Sequence, residues 1–434
     1  MKIAVIGAGY VGLTIVCFAD YGHNVTLIGR DQKKIDTLNS GICPIYEPGL
    51  DEILKKNIDA GRVRATVDYT TIQDADVAFI CVGTPSNEDG SIDLSQIKTA
   101  SEQIGEQLKQ TKKYIVVIVK STVVPGTTKD IMQPILEQKS GKKAGVDFGL
   151  CMNPEFLKEG TAVKDFIQGD KIVIGCVDDK SYAVIEKLYE CLDKNIPRLK
   201  TDLNTAEMIK YAQNSMLANR ISFMNEIANI CERCEVDVKQ VAHSIGLDKR
   251  IGPKFLNAGI GFGGSCFPKD VKALRALAKS KGVDSTMLHA TLSINEQQPS
   301  RLIDLVNSTI KNLKNKKVAV LGLAFKSDTD DMRESRSIPI INTLLEQGAT
   351  VKSYDPQAMT NAKEIFGDKI EYAANAEDCV SEADVCLVVT EWDEFKNIDF
   401  SKLRCPVIDG RRIIDPQKVK DAGLIYKGIG WKEN

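Results

Sequence analysis

One pattern occurs twice in this chain, and it fixes the fold class before any single residue is considered. The sequence opens on the apolar run "KIAVIGAG", followed by "NVTLIG", "DVAFICVGTP" and "YIVVIVKST", with amphipathic stretches between them. Strands alternating with helical patterns in this way build a parallel sheet with crossover helices. The last third repeats the series. "KKVAVLG" at 316–322 echoes the opening, "GATVKSYDP" echoes "GHNVTLIGRD", and "ADVCLVVT" echoes "ADVAFICV". A chain of 434 residues exceeds one ordinary core, so two or three domains are expected. The reading is an α/β protein with two doubly wound domains, 1–199 and 298–434, joined by a helical segment at 200–297.

That middle segment reads as helix. Asn204 stands as N-cap with Glu207 three positions on as its capping partner. No glycine or proline interrupts it as far as about Glu235, and Met208, Ala212, Met216, Ile221, Met224 and Ile227 form an apolar pattern. Such a helix is about 48 Å long at about 1.5 Å per residue, enough to span a molecule or build a dimer interface.

Composition narrows the function. Apolar content of 43% and charged content of 27% describe a globular chain, and a net charge of -2 argues against a nucleic-acid or membrane-surface binder. Met1 leads directly into a strand, and no apolar run reaches the length of a membrane span, so a cytoplasmic protein is expected. The twelve cysteines are scattered, many within strand-like runs (Cys81, Cys386), where cysteine behaves as a small hydrophobe. "CERC", Cys231 to Cys234, falls on the helical pattern with no second pair. His23, His243 and His289 lie far apart, so no metal site is expected.

"GAGYVG" sets Gly7, Gly9 and Gly12 in dinucleotide spacing, after a strand and before a helical run. Gly7 makes the tight turn, Gly9 lets a pyrophosphate approach the backbone, and Gly12 lets helix pack on sheet. Both repeats are therefore Rossmann-like, and the first is expected to bind NAD or NADP. The second strand of such a domain normally ends in an acid that holds the ribose 2′-hydroxyl. Here that position is Gly29, because Gly22 to Gly29 aligns with Gly348 to Asp355 in the second repeat. Gly29 and Arg30 make room for a 2′-phosphate and offer it a charge partner, so NADP is possible. The competing reading has Asp31 or a backbone group holding the ribose of NAD. The second repeat, Gly322-Leu-Ala-Phe-Lys326, lacks the later glycines and is not expected to hold a dinucleotide. Its Lys326, Arg333, Arg411 and Arg412 read either as contacts to the phosphates of a smaller nucleotide or as a solvated basic face.

"GFGGSCFPKD" places Cys266 after three glycines and before Pro268, a good first helical residue, with Lys269 beside it. A helix N-terminus and a neighbouring ammonium both favour thiolate. Asp270 follows on the first turn. "NPEFLKEG" reads as a second helix start, with Asn153 as cap and Glu155 and Glu159 one turn apart; Lys210 and Asn214 share that spacing on the long helix. A thiol, a lysine, an amide and carboxylates beside a dinucleotide fold suggest carbonyl chemistry through a covalent sulfur intermediate.

Six segments carry a resemblance: "GAGYVGL", "CVGTP", "KSTVVPGT", "NPEFLKEGTAVKDF", "GFGGSCFPKD" and "DMRESRS". In order and near spacing they resemble the nucleotide-sugar 6-dehydrogenases of the UDP-glucose/GDP-mannose dehydrogenase family, over nearly the whole chain. Ser265 stands where the N-acetylhexosaminuronate branch usually has histidine, and Phe267 where the GDP-mannose branch typically has leucine, so the loop resembles the UDP-glucose branch. The resemblance implies oxidation of UDP-glucose to UDP-glucuronate by two NAD-linked hydride transfers, through a thiohemiacetal and a thioester on Cys266, in a homodimer.

It also implies the site. Lys210 would stabilise charge on the C6 oxygen. Asn214, Asp270 and Thr122 would hold a proton-relaying water, and Glu155 would activate the hydrolytic water with help from Glu159. Gly7, Gly9, Tyr10, Val11, Gly12, Gly29, Arg30, Thr84, Thr122, Glu159 and Arg333 would meet the cofactor. Glu155, Phe156, Leu157, Lys210, Asn214, Phe255, Leu256, Asn257, Gly263, Cys266, Phe325, Lys326 and Arg412 would meet the UDP-sugar, and Arg250 the substrate of a partner subunit. The glycines before Cys266 would let backbone recede from the reacting centre. Asn257 departs from the lysine of some relatives, and Gly29 from the usual acid. Two rivals remain, a two-electron hydroxyacid dehydrogenase and a non-catalytic nucleotide-sugar sensor. The cysteine and the second repeat count against the first, and the intact reactive set against the second.

Overall fold

A computed structural model describes residues 1–432, and the chain divides into two compact units between Gln213 and Asn214. The first unit is built on an eight-stranded sheet. Its strands are β1 (Lys2–Ile6), β2 (Asn24–Ile28), β3 (Val63–Thr66), β4 (Val77–Ile80), β5 (Val116–Val119), β6 (Gly149–Met152), β7 (Ile172–Cys176) and β8 (Arg198–Thr201). Their order is β3-β2-β1-β4-β5-β6-β7-β8, the doubly wound arrangement. Successive residues of β1 explain its unbroken apolar run: Ile3 and Val5 enter the core on one face of the sheet, Ala4 and Ile6 the core on the other. Phe18 anchors the segment behind the first glycine turn. It is fully buried, with its ring centroid 4.9 Å from Phe166 and 5.3 Å from Tyr189. Removing such a ring typically costs about 3–5 kcal/mol.

The second unit holds a six-stranded, all-parallel sheet: β9 (Lys317–Leu321), β10 (Thr350–Tyr354), β11 (Glu371–Tyr372), β12 (Val385–Val388), β13 (Val407–Asp409) and β14 (Tyr426–Gly428), ordered β11-β10-β9-β12-β13-β14. The two Rossmann-like sheets and the helical middle agree with the sequence reading. The repeat holds at atomic detail: the Gly7 amide donates to Ile28 at 2.9 Å, and the Gly322 amide to Tyr354 at 2.8 Å. Among the described residues no helix is long and apolar enough to cross a membrane.

Three local expectations are corrected. The long helix spans Leu203–Cys231, about 44 Å, and its start is capped by Asp202, whose carboxylate accepts the Thr205 amide at 2.9 Å. Asn204 and Glu207 therefore form no capping box, and Glu207 turns to a different partner. "NPEFLKEG" is not helical; the next helix is Ala162–Ile167. Asn153 caps nothing because its side chain is committed elsewhere, donating to Val173 at 2.7 Å and accepting from Lys120 and Tyr189 at 2.9 and 2.6 Å. Finally, two of the scattered cysteines pair. β6 and β7 run antiparallel with Cys151 directly opposite Cys176, and the 4.2 Å Cα separation closes a disulfide.

Candidate active site

The first unit presents the glycine turn at the ends of β1 and β4. Gly7 has φ +102°, and a Cβ there would lie 2.6 Å from the Cys81 carbonyl oxygen; a Cβ at Gly12 would lie 1.9 Å from the Gly7 oxygen. At Gly9, the N-cap of the following helical segment, nothing lies within 4 Å of such a Cβ. The turn thus admits only glycine where it packs and is open where a pyrophosphate approaches, so the residues fit a dinucleotide. Gly29 follows β2, its missing Cβ 3.0 Å from Ile35 Cδ1, and Arg30 beside it is exposed. Asp31 caps the helix Gln32–Asn39 by accepting the Lys33 amide at 2.9 Å, a structural use that competes with the ribose role considered for it. Thr84 and Thr122 come together: the Thr84 hydroxyl donates to the Thr122 carbonyl at 3.0 Å.

Deeper in the same unit, Lys210 donates to Glu155 Oε1 at 2.8 Å, and both side chains are buried. Glu155 Oε2 accepts the Leu157 amide at 2.6 Å, and the Lys210 ammonium lies 5.5 Å from the Phe156 ring centre. Burial alone pushes the Glu155 carboxyl up, but Lys210, the Leu157 amide and Lys120 outweigh it and hold the group below its ordinary value. In this arrangement Glu155 is an anchored anion and a weak base.

The second unit holds the thiol. Cys266 is exposed and stands at the N-cap position of the helix Phe267–Ser280, with Pro268 second in that helix, and its carbonyl accepts the Asp270 amide at 2.8 Å. The Asp270 carboxylate is buried between two donors, Asn214 at 2.6 Å and Lys269 at 2.6 Å. Phe267, next to the thiol, packs against Phe255 and Phe262 with ring centroids 6.1 and 6.0 Å away. Phe255 has φ +62°, a left-handed conformation costly for a side chain with a Cβ. The residues expected to meet the sugar nucleotide thus include one held under local strain close to Cys266, while Leu256 is buried in the core and Asn257 is exposed.

The glycines before the thiol have a different cause from the one expected. A Cβ at Gly263 would lie 2.3 Å from the Glu334 oxygen, one at Gly264 2.7 Å from the Phe325 ring, and one at Gly261 2.7 Å from Asn295. The Gly264 amide donates to the Arg333 carbonyl at 2.9 Å. The space they clear is filled by the chain itself, which seats "DMRESRS" against the thiol loop. Sequence spacing gives no sign of a contact made from about 70 residues away.

The basic residues of the second repeat divide. Arg412 is buried, donating to Ile429 at 2.9 Å and pairing with Asp237 at 2.8 Å, so its guanidinium is committed inside the fold and does not fit the substrate role expected for it. Arg411 likewise donates to Val389 and pairs with Glu391. Lys326 lies beside its neighbour Phe325, 5.8 Å from the ring centre. Arg333 and Arg250 are exposed and paired with Asp331 and Asp248, each at 2.6 Å. Among the described residues no group of three or more histidine, cysteine or acidic side chains is placed to hold a metal.

One residue escaped the sequence reading, and a second was given the wrong partner. Glu47 is buried, accepts the Tyr10 hydroxyl, and takes the Gly160 and Ala162 amides at 2.7 Å each, tying the glycine turn to the segment after Glu159. Glu207 does the same for the Thr122 loop. Their signal is weak in sequence, because a carboxylate that caps backbone 79 or more residues away looks like a surface acid or a local cap.

Comparison with known proteins accounts for nearly all of the chain. Models of the UDP-glucose/GDP-mannose dehydrogenase family match as its NAD binding domain over residues 1–193, its central domain over 204–297 and its UDP binding domain over 319–421. A UDP-glucose 6-dehydrogenase of Haloferax volcanii is 47% identical, over 99% of this chain and all of that protein. A UDP-glucose 6-dehydrogenase of Bacillus subtilis is 44% identical, over 99% of this chain and 93% of that one. The solved structure of a UDP-glucose dehydrogenase from Pyrobaculum islandicum superposes with a TM-score of 0.93 at 37% identity, covering 99% and 98% of the two chains.

Proposed function

The chain belongs to the UDP-glucose/GDP-mannose dehydrogenase family, and on that premise we propose that it oxidises UDP-glucose to UDP-glucuronate in two NAD-linked steps. The observation that carries the reading is the exposed thiol of Cys266 at a helix N-cap beside the buried Asn214–Asp270–Lys269 cluster. A simple hydroxyacid dehydrogenase or a sensor has no use for that nucleophile. NAD, when bound, supplies the hydride-accepting chemistry, and the glycine turn, Thr84 and Thr122 are the residues that would hold it.

The protein's own groups then do the rest. Loss of the hydroxyl proton and of a hydride from C6 gives an aldehyde, whose carbonyl carbon the Cys266 sulfur attacks to form a thiohemiacetal. Loss of a second proton and hydride leaves a thioester, and water cleaves the C–S bond to return the thiol and a carboxylate. Lys210 stabilises the C6 oxygen as charge builds there. When it does so its hold on Glu155 weakens, and that carboxylate regains basicity for the hydrolytic water; Glu159 shares the task. Asp270 and Asn214 keep a proton-relaying water in register. Phe255, Gly263 and Lys326 contact the sugar nucleotide.

A homodimer is part of the proposal. Met216, Phe223 and Ile230 are exposed and recur every seven residues along the long helix, an apolar seam suited to a second copy. Arg250 then reaches the partner's substrate. Sedimentation should give a dimer in the wild type and a monomer in Phe223→Glu; a wild-type monomer refutes it. We also place the protein in the cytoplasm, and keep the three-part division at 199 and 297.

The chemistry is tested by trapping. Losing a general base commonly costs about 10²- to 10⁴-fold in the step it serves. Glu155→Gln should therefore accumulate an adduct on Cys266, heavier by the sugar nucleotide and visible by intact mass. Cys266→Ser should show none and should stall in turnover. Full turnover by the serine variant removes the thiol from the mechanism, and a slow Glu155→Gln without adduct moves the base to Glu159.

A further inference from the structure

The long helix begins with a buried carboxylate that the chemistry above does not use. Glu207 is fully buried, yet both oxygens are committed. Oε2 accepts the Gly126 amide at 2.7 Å, and Oε1 accepts the Thr128 amide at 2.8 Å and the Thr128 hydroxyl at 2.6 Å. These donors open the helical segment Thr127–Met132, which runs on into Gln133–Ser140. Gly126 sits at φ +96° immediately before it, so the turn leaving the Thr122 loop is made here.

A helix start needs an acceptor, and a local serine, threonine or aspartate ordinarily supplies it. Asp202 does this for the long helix, and Asp31 and Asp178 do it for two others. At Thr127 the acceptor comes from 79 residues away and is a buried charge. Burial pushes the Glu207 carboxyl up to about 7, against the three donors that pull it down and with Asp130 adding to the rise. A cap alone does not require that cost. What the distant carboxylate adds is a tie between two elements. On one side is the loop carrying Thr122, whose carbonyl takes the Thr84 hydroxyl. On the other is the helix turn that carries Lys210, paired with Glu155.

We infer that Glu207 is a positioning residue, fixing the Thr122 loop to the first turns of the long helix so that Thr122 and Lys210 keep a set separation. The inference rests on the proposed function for the roles of those two residues. It is not a contact with substrate or cofactor. Displacement of a catalytic group by about 1 Å commonly costs about 10²-fold in rate, whereas binding that does not use the displaced groups persists.

The test uses full-length protein and the variants Glu207→Gln and Thr128→Ala. Glutamine keeps the shape but turns an amide toward one set of donors. It should lower kcat about 10²-fold, with the calorimetric Kd for UDP, which lacks the sugar that Lys210 meets, unchanged within about two-fold and melting close to wild type. Thr128→Ala removes one of three donors and should show a smaller loss, about ten-fold, with the same unchanged Kd. If Glu207→Gln does not fold, Thr128→Ala decides alone. A variant whose melting point falls while kcat per folded molecule is unchanged has a merely structural Glu207, which overturns the inference. Hydrogen exchange separates this from failure of the proposed function. Even if wild type releases no reduced cofactor with UDP-glucose, Glu207→Gln should speed exchange in peptides 120–128 and 203–211 together. Acceleration confined to 120–128 overturns the tie.

Discussion

The two Rossmann-like sheets make the same turn after their first strand and use it in opposite ways. Gly7 and Gly322 match in conformation, φ +102° and +99°, and each excludes a Cβ by lying against the strand across the turn, at Cys81 and Thr390. Beyond that point they part. In the second sheet the next two amides, Leu323 and Ala324, donate to Asp355 Oδ2 at 2.7 and 3.0 Å, and Trp392 joins them at 3.0 Å. Asp355 Oδ1 takes the amides of Gln357 and Ala358 at 2.9 Å each. The second turn therefore carries its anion within its own chain. The equivalent residue in the first sheet is Gly29, which has no carboxylate to offer. In the second repeat the acid at this position fills the glycine turn from within; in the first, Gly29 leaves the turn open to a phosphate from outside.

Removing the internal anion gives the largest expected effect. Asp355→Ala leaves five donors, four of them buried, without their acceptor and should destabilise the protein by about 4 kcal/mol, read by chemical denaturation. The KM for NAD should stay unchanged in whatever protein remains folded. A rise in that KM breaks the assignment of separate roles to the two turns.

The buried carboxylate of the first unit responds to pH instead. Glu207 is raised from 4.5 to about 7, so the folded state holds its proton more tightly than the unfolded chain. Stability from this group is then fully present below pH 4.5 and is lost as pH rises toward 7, by roughly 3 kcal/mol at about 1.4 kcal/mol per unit. The difference in unfolding free energy between wild type and Glu207→Gln, followed from pH 4.5 to 7.5, should fall through that window and level off above it. A flat difference shows that the carboxyl titrates normally.

Gly29→Asp makes the first repeat resemble the second at the deciding position, with a smaller effect. If Gly29 and Arg30 admit a 2′-phosphate, the wild type uses NADP measurably. The acid should then shift preference toward NAD by about one to two decades, the loss of a charge-assisted bond plus repulsion that salt weakens. Initial rates with both cofactors check it. A wild type that ignores NADP shows that the glycine only opens the ribose pocket. If instead Gly29→Asp abolishes both cofactors, the new carboxylate has plugged the turn as Asp355 does.

The same contrast explains what the sequence disclosed. Sheets buried on both faces announce themselves as apolar runs, so β1, β2, β4, β5, β9 and β12 were legible, and β10 through its match to β2 in the repeat. β8, "RLKT", is half-exposed and polar, and β11, β13 and β14 are two or three residues long, too short for a pattern. The chemistry-bearing types were legible at Cys266, Asp270, Lys210 and Glu155 because motifs carry them. Their partners were not. Asp355 appeared only as a strand-end acid, Glu207 as a local cap, and the glycines before Cys266 as space for substrate. In each case the partner atom lies tens of residues away, and no local spacing encodes it.

In the proposed reaction one thiol carries a sugar from alcohol to acid through two oxidations. The direct measurement is the number of reduced cofactors formed per sugar consumed, with purified protein, limiting UDP-glucose and excess NAD. Two per sugar are expected, with UDP-glucuronate as the product. One per sugar with an aldehyde product, or none, would contradict it.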